Sequence, residues 1–336
     1  MWQVAGHDWV LGVLSASLAA GRVSHAYLFS GPPGVGKRTL AVCLAQAVNC
    51  LGQDRPCNAC ESCRRIGQGI HPDVHLVDLH YQALLREEDD DEQKELRIDT
   101  IRSISQQAGL KPFEGQCKVF IIPDAELMNP KAANSLLKTL EEPPPQVMLI
   151  LTTRDSLLLL PTIVSRCQVF GLRLVPAEVI EQELRATHGL ATEQARVLAR
   201  MSGGRIGWAI DAARDQSGLE QRGETMKQLA GLARMGRLDR LDYAQQLARH
   251  RGQIKDVLDL WLGWWRDLLL IKGGCPESLG NVDMTQLLEQ EALRYTLRDL
   301  IAFIDSIRNT QRHLESNVDA RLALEVLMLD LPARGN

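Results

Sequence analysis

Aromatic side chains are scarce in this chain of 336 residues, since Phe, Trp and Tyr together make up only 4% of it. A hydrophobic core must therefore be built mainly from Leu, Ile, Val and Ala. No apolar run approaches the ~20 residues of a membrane-spanning helix. The apolar segment from Trp9 to Ala20 follows Asp8 and has no basic region before it, which favours an amphipathic first helix over a signal peptide. We therefore expect a cytoplasmic protein.

The chain also lacks an excess of positive charge. Its 38 Lys and Arg residues are outnumbered by 42 Asp and Glu residues, which gives a formal net charge of −4. Proteins that bind nucleic acid directly and without sequence preference carry a strongly basic surface. Any contact of this chain with DNA must therefore come from a local patch or through other chains.

Strand and helix signals alternate over residues 1–170. The strand candidates are Ala26–Ser30, His75–Asp78, Lys118–Ile122 and Val147–Thr152. Helices are predicted over Thr39–Val48 and Ile98–Gln107, and a third begins after Asn129, which can cap it, with Pro130 in the first helical position. This alternation predicts a doubly wound α/β domain with a parallel sheet.

Strand signals end near Pro176, and the remainder of the chain is helix-periodic. Two short helices are predicted over Glu178–Arg185 and Glu193–Met201. Two later apolar stripes predict the core of a helical bundle. They consist of Ile254, Val257, Leu258, Trp261, Trp265 and Leu268, and of Leu297, Ile301, Ile304 and Ile307. An acidic run within residues 87–95 predicts a solvated loop.

A phosphate-binding loop follows the first predicted strand. Gly31–Lys37 reads GPPGVGK and runs into a predicted helix. Gly31, Gly34 and Gly36 let backbone N–H groups approach phosphate oxygens, and the helix N-terminus adds a positive dipole end. Lys37 can then reach the β- and γ-phosphates of a nucleotide. The pattern predicts a P-loop.

The residue after the P-loop lysine departs from the usual pattern. A Ser or Thr hydroxyl is needed there to ligate Mg²⁺. Arg38 occupies the position, and Thr39 comes one residue late. A guanidinium cannot ligate a cation, although it can neutralise phosphate charge. The sequence therefore leaves open whether the loop binds ATP.

The second half of such a site follows the strand Lys118–Ile122. Asp124 is a candidate to hold Mg²⁺ through water, and a Glu that activates the attacking water should come next. Ala125 stands in that position, and Glu126, one residue later, should project in a different direction. The candidate residues for a weak or vestigial nucleotide site are Gly31, Gly34, Gly36, Lys37, Arg38, Thr39 and Asp124.

Half of the eight cysteines are crowded together, at Cys50, Cys57, Cys60 and Cys63. Zn²⁺ prefers four tetrahedral thiolates, and C-x2-C turns supply pairs of them in this geometry. The spacing predicts a closed structural zinc site, and a set of partly free thiols is the alternative. The remaining cysteines are predicted to be small buried apolar side chains: Cys43, Cys117, Cys167 and Cys275.

Taken together, these motifs resemble the clamp-loader subunits of bacterial DNA polymerase III, which belong to the AAA+ proteins. The resemblance is sharp over roughly residues 20–170 and weaker, though compatible, beyond. The motifs that carry it are Ser24–Phe29, Gly31–Lys37, the four clustered cysteines, Asn134–Pro144 (NSLLKTLEEPP) and Ser165–Cys167 (SRC).

The resemblance implies three domains. An AAA+ α/β P-loop domain would span residues 1–170, with a zinc knuckle inserted at 50–63. A small three-helix lid would span 171–207, and an all-α collar domain for oligomerisation would span 208–336.

Three departures separate this chain from the ATP-hydrolysing tau/gamma type of subunit. Subunits of the tau/gamma type have a P-loop of the pattern GxxGxGKT, the pair Asp-Glu in the second motif and an arginine in the lid. The corresponding residues here are Arg38, Ala125 and Gly207, and Arg205 lies two residues from the lid position. These losses favour a delta-prime type of subunit without ATPase activity of its own, and an active tau/gamma-type ATPase is the alternative.

The resemblance also implies a role for Arg166 in the SRC motif and a set of partners. In this family the SRC arginine reaches into the ATP site of a neighbouring subunit as an arginine finger. The expected partners are gamma/tau and delta subunits, with the β sliding clamp and primed DNA contacted through the complex.

Two functions outside this family are disfavoured by the sequence. A zinc-knuckle protein that binds nucleic acid is disfavoured by the net acidity and by the lack of interleaved basic and aromatic residues around the cysteines. A P-loop kinase is disfavoured because no substrate motif is present and Arg38 spoils the metal position.

Overall fold

A computed structural model describes residues 2–87, 93–316 and 318–332 of the chain. The chain divides into two compact units. The first comprises Met1–Glu183 with Gly204–Trp208, and the second comprises Leu184–Gly203 with Ala209–Asn336. Residues 88–92, in the middle of the predicted acidic loop, lie outside the described residues.

The first unit is built on a five-stranded parallel sheet. Its strands are β1 (Ala26–Ser30), β2 (Val74–Leu76), β3 (Lys118–Ile122), β4 (Val147–Thr153) and β5 (Gln168–Gly171). They lie in the order β2-β3-β4-β1-β5, and each neighbouring pair is parallel. The four predicted strands and the AAA+-like α/β class are confirmed. Strand β5 was missed because it is short and largely exposed, so it has no continuous apolar run.

Alternate residues of the central strands enter cores on opposite faces of the sheet. In β1, Ala26 and Leu28 belong to one buried cluster, whereas Tyr27 and Phe29 belong to the other. Strand β3 alternates in the same way. Burial on both faces explains why these strands are continuous apolar runs in the sequence.

Helices cover both faces of this sheet. They are α1 (Asp8–Ala19), α2 (Lys37–Asn49), α3 (Glu61–Gly67), α4 (Leu79–Arg86), α5 (Ile98–Ala108), α6 (Pro130–Glu141), α7 (Pro161–Val164) and the start of α8 (Ala177–His188). The predicted cap of α6 is present, since the Asn129 side chain accepts a hydrogen bond from the Ala132 N–H at 2.9 Å.

In the second unit, all regular secondary structure of the described residues is helical. Its helices are the end of α8, α9 (Thr192–Met201), α10 (Ile206–Arg214, from residue 209), α11 (Gln216–Leu232), α12 (Arg237–Arg249), α13 (Arg251–Lys272), α14 (Thr285–Ala292), α15 (Leu297–Glu315) and α16 (Ala320–Asp330). No described helix combines the length and the apolar character needed to cross a membrane. The predicted border between residues 207 and 208 falls within α10, and the three-domain division stays a prediction.

The core of the second unit is centred on aromatic residues of α13 and α15. Trp261 packs edge-on against Phe303, with ring centroids 5.3 Å apart, and Trp265 lies 4.5 Å from the same ring. The predicted stripe of α15 is partly wrong, because Leu297 and Ile301 are about half exposed. The face that α15 turns to the core instead contains Leu300, Phe303, Ile304 and Ile307, at the i, i+3, i+4, i+7 spacing of a packed helix.

A half-buried histidine in the sheet predicts acid sensitivity. The ring of His75 stacks on Phe120, with centroids 5.2 Å apart, and burial, reinforced by Lys118, lowers its pKa below the ordinary 6.5. Because the unfolded chain then binds a proton more readily, the free energy of unfolding should fall as pH drops below about 6.5. Denaturant titrations between pH 7 and pH 5 should show a smaller loss for His75→Phe. The exposed control His313→Gln should keep the original slope, and an unchanged slope in His75→Phe would contradict the assignment.

Candidate functional site

The two segments of the predicted nucleotide site, together with the end of β4, lie at one edge of the sheet. Strands β1, β3 and β4 are parallel neighbours, so their carboxyl ends lie side by side. The P-loop follows β1, Asp124 lies beyond β3 and Arg154 follows β4. The fold thus brings the end of the P-loop at Lys37 close to Asp124, although the two residues are 87 positions apart in the chain.

The P-loop glycines adopt backbone conformations that other residues rarely adopt. Gly34 and Gly36 have φ values of +77° and +98°, and Gly36 directly precedes the first residue of α2. At Gly31 a Cβ atom would collide with the carbonyl oxygen of Leu172. The loop therefore has the compact, left-handed turns that glycine allows.

Lys37 lies folded into the loop that precedes it. Its Nζ donates hydrogen bonds to the carbonyl oxygens of Gly31 (2.6 Å) and Pro32 (2.9 Å), and only 8% of the residue is exposed. Burial lowers the pKa of Lys37, and the charges of Asp124 and Glu126 oppose this shift. The lysine is thus held at the loop by backbone acceptors and lies within electrostatic range of both carboxylates.

Arg38 and Thr39, the next two residues of α2, are exposed. The position that would supply the Mg²⁺ hydroxyl therefore carries an exposed guanidinium. Nucleotide binding by this residue set stays a prediction.

The second motif has no carboxylate in the position of the expected general base. Asp124 has φ +46° and begins a 3₁₀ turn over Ala125–Leu127, in which Ala125 is fully buried. Glu126 turns toward the end of β4: its Oε1 accepts a hydrogen bond from the Arg154 N–H at 3.2 Å and lies 3.3 Å from Arg154 Nε. Its Oε2 is buried and has no hydrogen-bond partner among the described residues. Arg154 was not recognised in the sequence because its contact with Glu126 exists only in the folded sheet.

The segment Gly204–Trp208 packs directly on the P-loop. The Gly207 N–H donates a hydrogen bond to the Gly34 carbonyl oxygen at 2.8 Å. A Cβ atom built on Gly34 would lie 3.2 Å from Cβ of Arg205. Gly207 stands where the lid arginine is expected, and its backbone contacts the P-loop directly. Arg205, the arginine of this segment, lies beside the P-loop.

Arg166 lies between α7 and β5 with a half-buried side chain. Its Nη1 donates hydrogen bonds to the Thr162 carbonyl oxygen (2.9 Å) and to Ser165 Oγ (3.3 Å). Its Nη2 lies 2.7 Å from Glu141 Oε1, at the end of α6. Glu141 was not singled out from the sequence, because only the packing of α6 against α7 brings it to the SRC motif.

The four clustered cysteines converge between α2 and α3. The sulfur atoms of Cys50, Cys57, Cys60 and Cys63 all lie within 4.8 Å of one another. A tetrahedron of thiolates 2.3 Å from zinc has sulfur atoms about 3.8 Å apart. The separations of the four sulfurs are therefore compatible with a zinc ion bound among them.

Backbone N–H groups point at these sulfurs, which stabilises thiolates. Cys50 Sγ accepts hydrogen bonds from the N–H groups of Gly52 and Cys57, and Cys57 Sγ accepts one from Cys60. The bonds from the backbone of Cys60 and Ala59 lower the pKa of Cys57 to about 6, whereas burial raises the pKa of Cys63 to about 12. A bound cation would hold all four as thiolates.

The other cysteines match their predicted environments only in part. Cys43 is buried, and burial raises the pKa of Cys117 and of Cys167 to about 12, although both are only half buried. The prediction for Cys275 is wrong, because this residue is exposed at the turn after α13.

The sequence matches two family descriptions that together cover most of the chain. Residues 6–176 match the family described as "DNA polymerase III, delta subunit", and residues 216–332 match its C-terminal counterpart. The DNA polymerase III subunit delta' of Bacillus subtilis (strain 168) is 33% identical over 326 residues, which cover 96% of this chain and 95% of that protein.

Two further similarities are to other proteins of DNA polymerase III. The DNA polymerase III subunit tau of Escherichia coli (strain K12) is 36% identical over 183 residues, which cover 54% of this chain and 26% of that protein. A gamma subunit-related protein of DNA polymerase III from Thermotoga maritima has a solved structure that is 19% identical. It aligns with a TM-score of 0.46 over 94% of this chain and 97% of that one.

A P-loop sheet with an inserted four-cysteine cluster, followed by an all-helical C-terminal unit, defines a clamp-loader subunit of the AAA+ class. Within this class, the type of subunit is decided by the match to a delta' subunit over 96% of the chain. The two family matches agree with it. The chain belongs to the delta-prime family of DNA polymerase III.

Proposed function

We propose that this chain is a clamp-loader subunit that hydrolyses no ATP itself but completes the active site of a neighbouring ATPase subunit. Its partners would be gamma/tau and delta subunits, and the complex would load the β sliding clamp on primed DNA in the cytoplasm. DNA-directed DNA polymerase activity would belong to the holoenzyme and not to this chain.

The observation that carries the non-hydrolysing role is the geometry after β3. Ala125 is fully buried in the position of the water-activating glutamate. Glu126, the nearest alternative, is bound to Arg154 by its Oε1. A general base must reach the attacking water, and the carboxylate of Glu126 is turned toward Arg154 at the end of β4 instead. Any nucleotide binding by the P-loop would be weak or vestigial.

Arg166 supports the second half of the proposal. It lies at the surface of the α/β unit with one third of its side chain exposed, close in sequence to the exposed side chains of Leu157 and Leu158. An arginine in such a position can enter the ATP site of an adjacent subunit and stabilise charge on the γ-phosphate.

The helical unit offers an apolar face that suits assembly into a ring. Leu322, Val326 and Leu329 are at least half exposed and follow the i, i+4, i+7 spacing of one face of α16. Such a face is typical of a surface that is covered by other subunits. We propose that it forms part of the oligomerising collar.

We also propose that Cys50, Cys57, Cys60 and Cys63 hold a structural zinc ion. The ion would fix the polar segment between α2 and α3, which has few apolar residues of its own. With four thiolate ligands, no coordination position remains open for catalysis.

Reconstitution of the clamp loader tests the assembly role. Purified gamma-type and delta subunits are mixed with labelled clamp and primed circular DNA, with or without this chain, and the clamp retained on DNA is measured after gel filtration. We expect retention to require the chain and ATP. Equal loading in its absence would contradict the proposal.

A further inference from the structure

The guanidinium of Arg166 is held on two sides by groups of different character. Nη1 is bound to the backbone carbonyl of Thr162, whereas Nη2 faces the carboxylate of Glu141 at 2.7 Å. The carbonyl belongs to the short helix α7 and the carboxylate to the last residue of α6. One nitrogen is therefore tied to the scaffold and the other to a replaceable anion.

We propose that Glu141 is a positioning residue that holds Arg166 in the free subunit and is exchanged for the neighbour's phosphate on assembly. This inference rests on the proposed finger role of Arg166. It identifies Glu141 as a group of the same chain that competes with the neighbour's phosphate for the guanidinium.

The chemistry of the pair fits such an exchange. Carboxylate and phosphate oxygens are both acceptors for the guanidinium fork, so one can replace the other without a change in donor geometry. The side chains of Arg166 and Glu141 are 34% and 50% exposed. Ion pairs with this exposure are weak and are screened by salt, so phosphate can displace the carboxylate. The Thr162 contact meanwhile keeps the arginine side chain in place.

The exchange has a kinetic consequence. Glu141 competes with bound ATP for Arg166 and, once displaced, leaves a like charge near the phosphates. Both effects weaken the ground state and the transition state by similar amounts. An interaction that weakens both states equally changes KM and leaves kcat alone. Removal of the charge should therefore tighten ATP binding at the neighbouring site.

A double-mutant cycle in the reconstituted complex tests this inference. Single-turnover ATP hydrolysis at the bordering site is measured over a range of ATP concentrations for the unmodified chain, Glu141→Gln, Arg166→Ala and the double variant, at low and at high salt. We expect Glu141→Gln to lower the half-saturating ATP concentration, the KM of this site, about 2- to 5-fold at low salt, with the maximal rate unchanged and with a smaller effect at high salt. The effect should vanish in the Arg166→Ala background. Glu142→Gln, at the adjacent exposed carboxylate, is the matched control and should change nothing.

The possible outcomes separate the two proposals. If Arg166→Ala lowers turnover but Glu141→Gln leaves KM unchanged or raises it, the finger stands and the Glu141 inference is overturned. An effect of Glu141→Gln that persists without Arg166 overturns it as well, since the two residues would then act independently. If Arg166→Ala itself leaves turnover unchanged, the finger role fails and the Glu141 inference falls with it.

Discussion

Replacement of Arg166 by alanine is expected to slow ATP hydrolysis at the bordering site of a reconstituted clamp loader by at least about 10³-fold, the lower range for arginine fingers. The reason is the loss of the charge that stabilises the γ-phosphate in the transition state. Because other sites in the ring would keep their own fingers, the measurement is a single-turnover experiment. The bordering site should appear as a fraction of bound ATP that is no longer hydrolysed on the fast time scale.

Two further variants make this result specific. Arg166→Lys should recover little activity, because a single ammonium cannot reproduce the two-pronged contact of a guanidinium. Arg173→Ala, at an exposed arginine just beyond β5, should behave like the unmodified chain. If all bound ATP is still hydrolysed in the fast phase with Arg166→Ala, and gel filtration shows that the complex is intact, the finger role of Arg166 is contradicted.

Loss of the proposed zinc ion is expected to have the largest effect on stability. Replacement of Cys63, whose sulfur is buried between α2 and α3, by serine should abolish zinc binding and lower the free energy of unfolding by more than about 4 kcal/mol, since loss of a metal is among the few changes with so large a cost. Zinc content by atomic spectroscopy should fall from about one ion per chain to near zero. Denaturant titration at fixed pH measures the stability.

A cysteine outside the cluster supplies the control. Cys117→Ser removes a half-buried thiol near the start of β3 and should keep the zinc content unchanged. Metal removal by a chelator should lower the stability of the unmodified chain and of Cys117→Ser, but not that of Cys63→Ser. Full stability of Cys63→Ser would mean that the knuckle folds without a metal.

The parts of the fold that the sequence revealed are those with strong local signals. Strands β1, β3 and β4 are buried on both faces, so their apolar runs are visible without any tertiary information. The start of α6 was visible because Asn129 and Pro130 form a cap with a known backbone preference. The C-x2-C spacing likewise indicated the cysteine cluster before its geometry was known.

What stayed hidden depends on contacts between distant segments. Glu126 was expected to project elsewhere, and only the fold reveals that Arg154, at the end of another strand, binds its carboxylate. Glu141 is 25 residues from Arg166, and no sequence pattern pairs the two. The face of α15 was misjudged because Leu297 and Ile301 have the right spacing for a stripe, and only the packing of Phe303 against Trp261 decides which face is buried.

If this chain contributes to ATP hydrolysis without hydrolysing ATP itself, the purified chain alone should be inactive, and its ATP turnover is the measurement to make. The measurement compares the unmodified chain with Lys37→Ala, with and without primed DNA and clamp. No turnover above background is expected in either protein. Turnover that is abolished by Lys37→Ala would contradict this expectation and would mean that Glu126, freed from Arg154, serves as the general base.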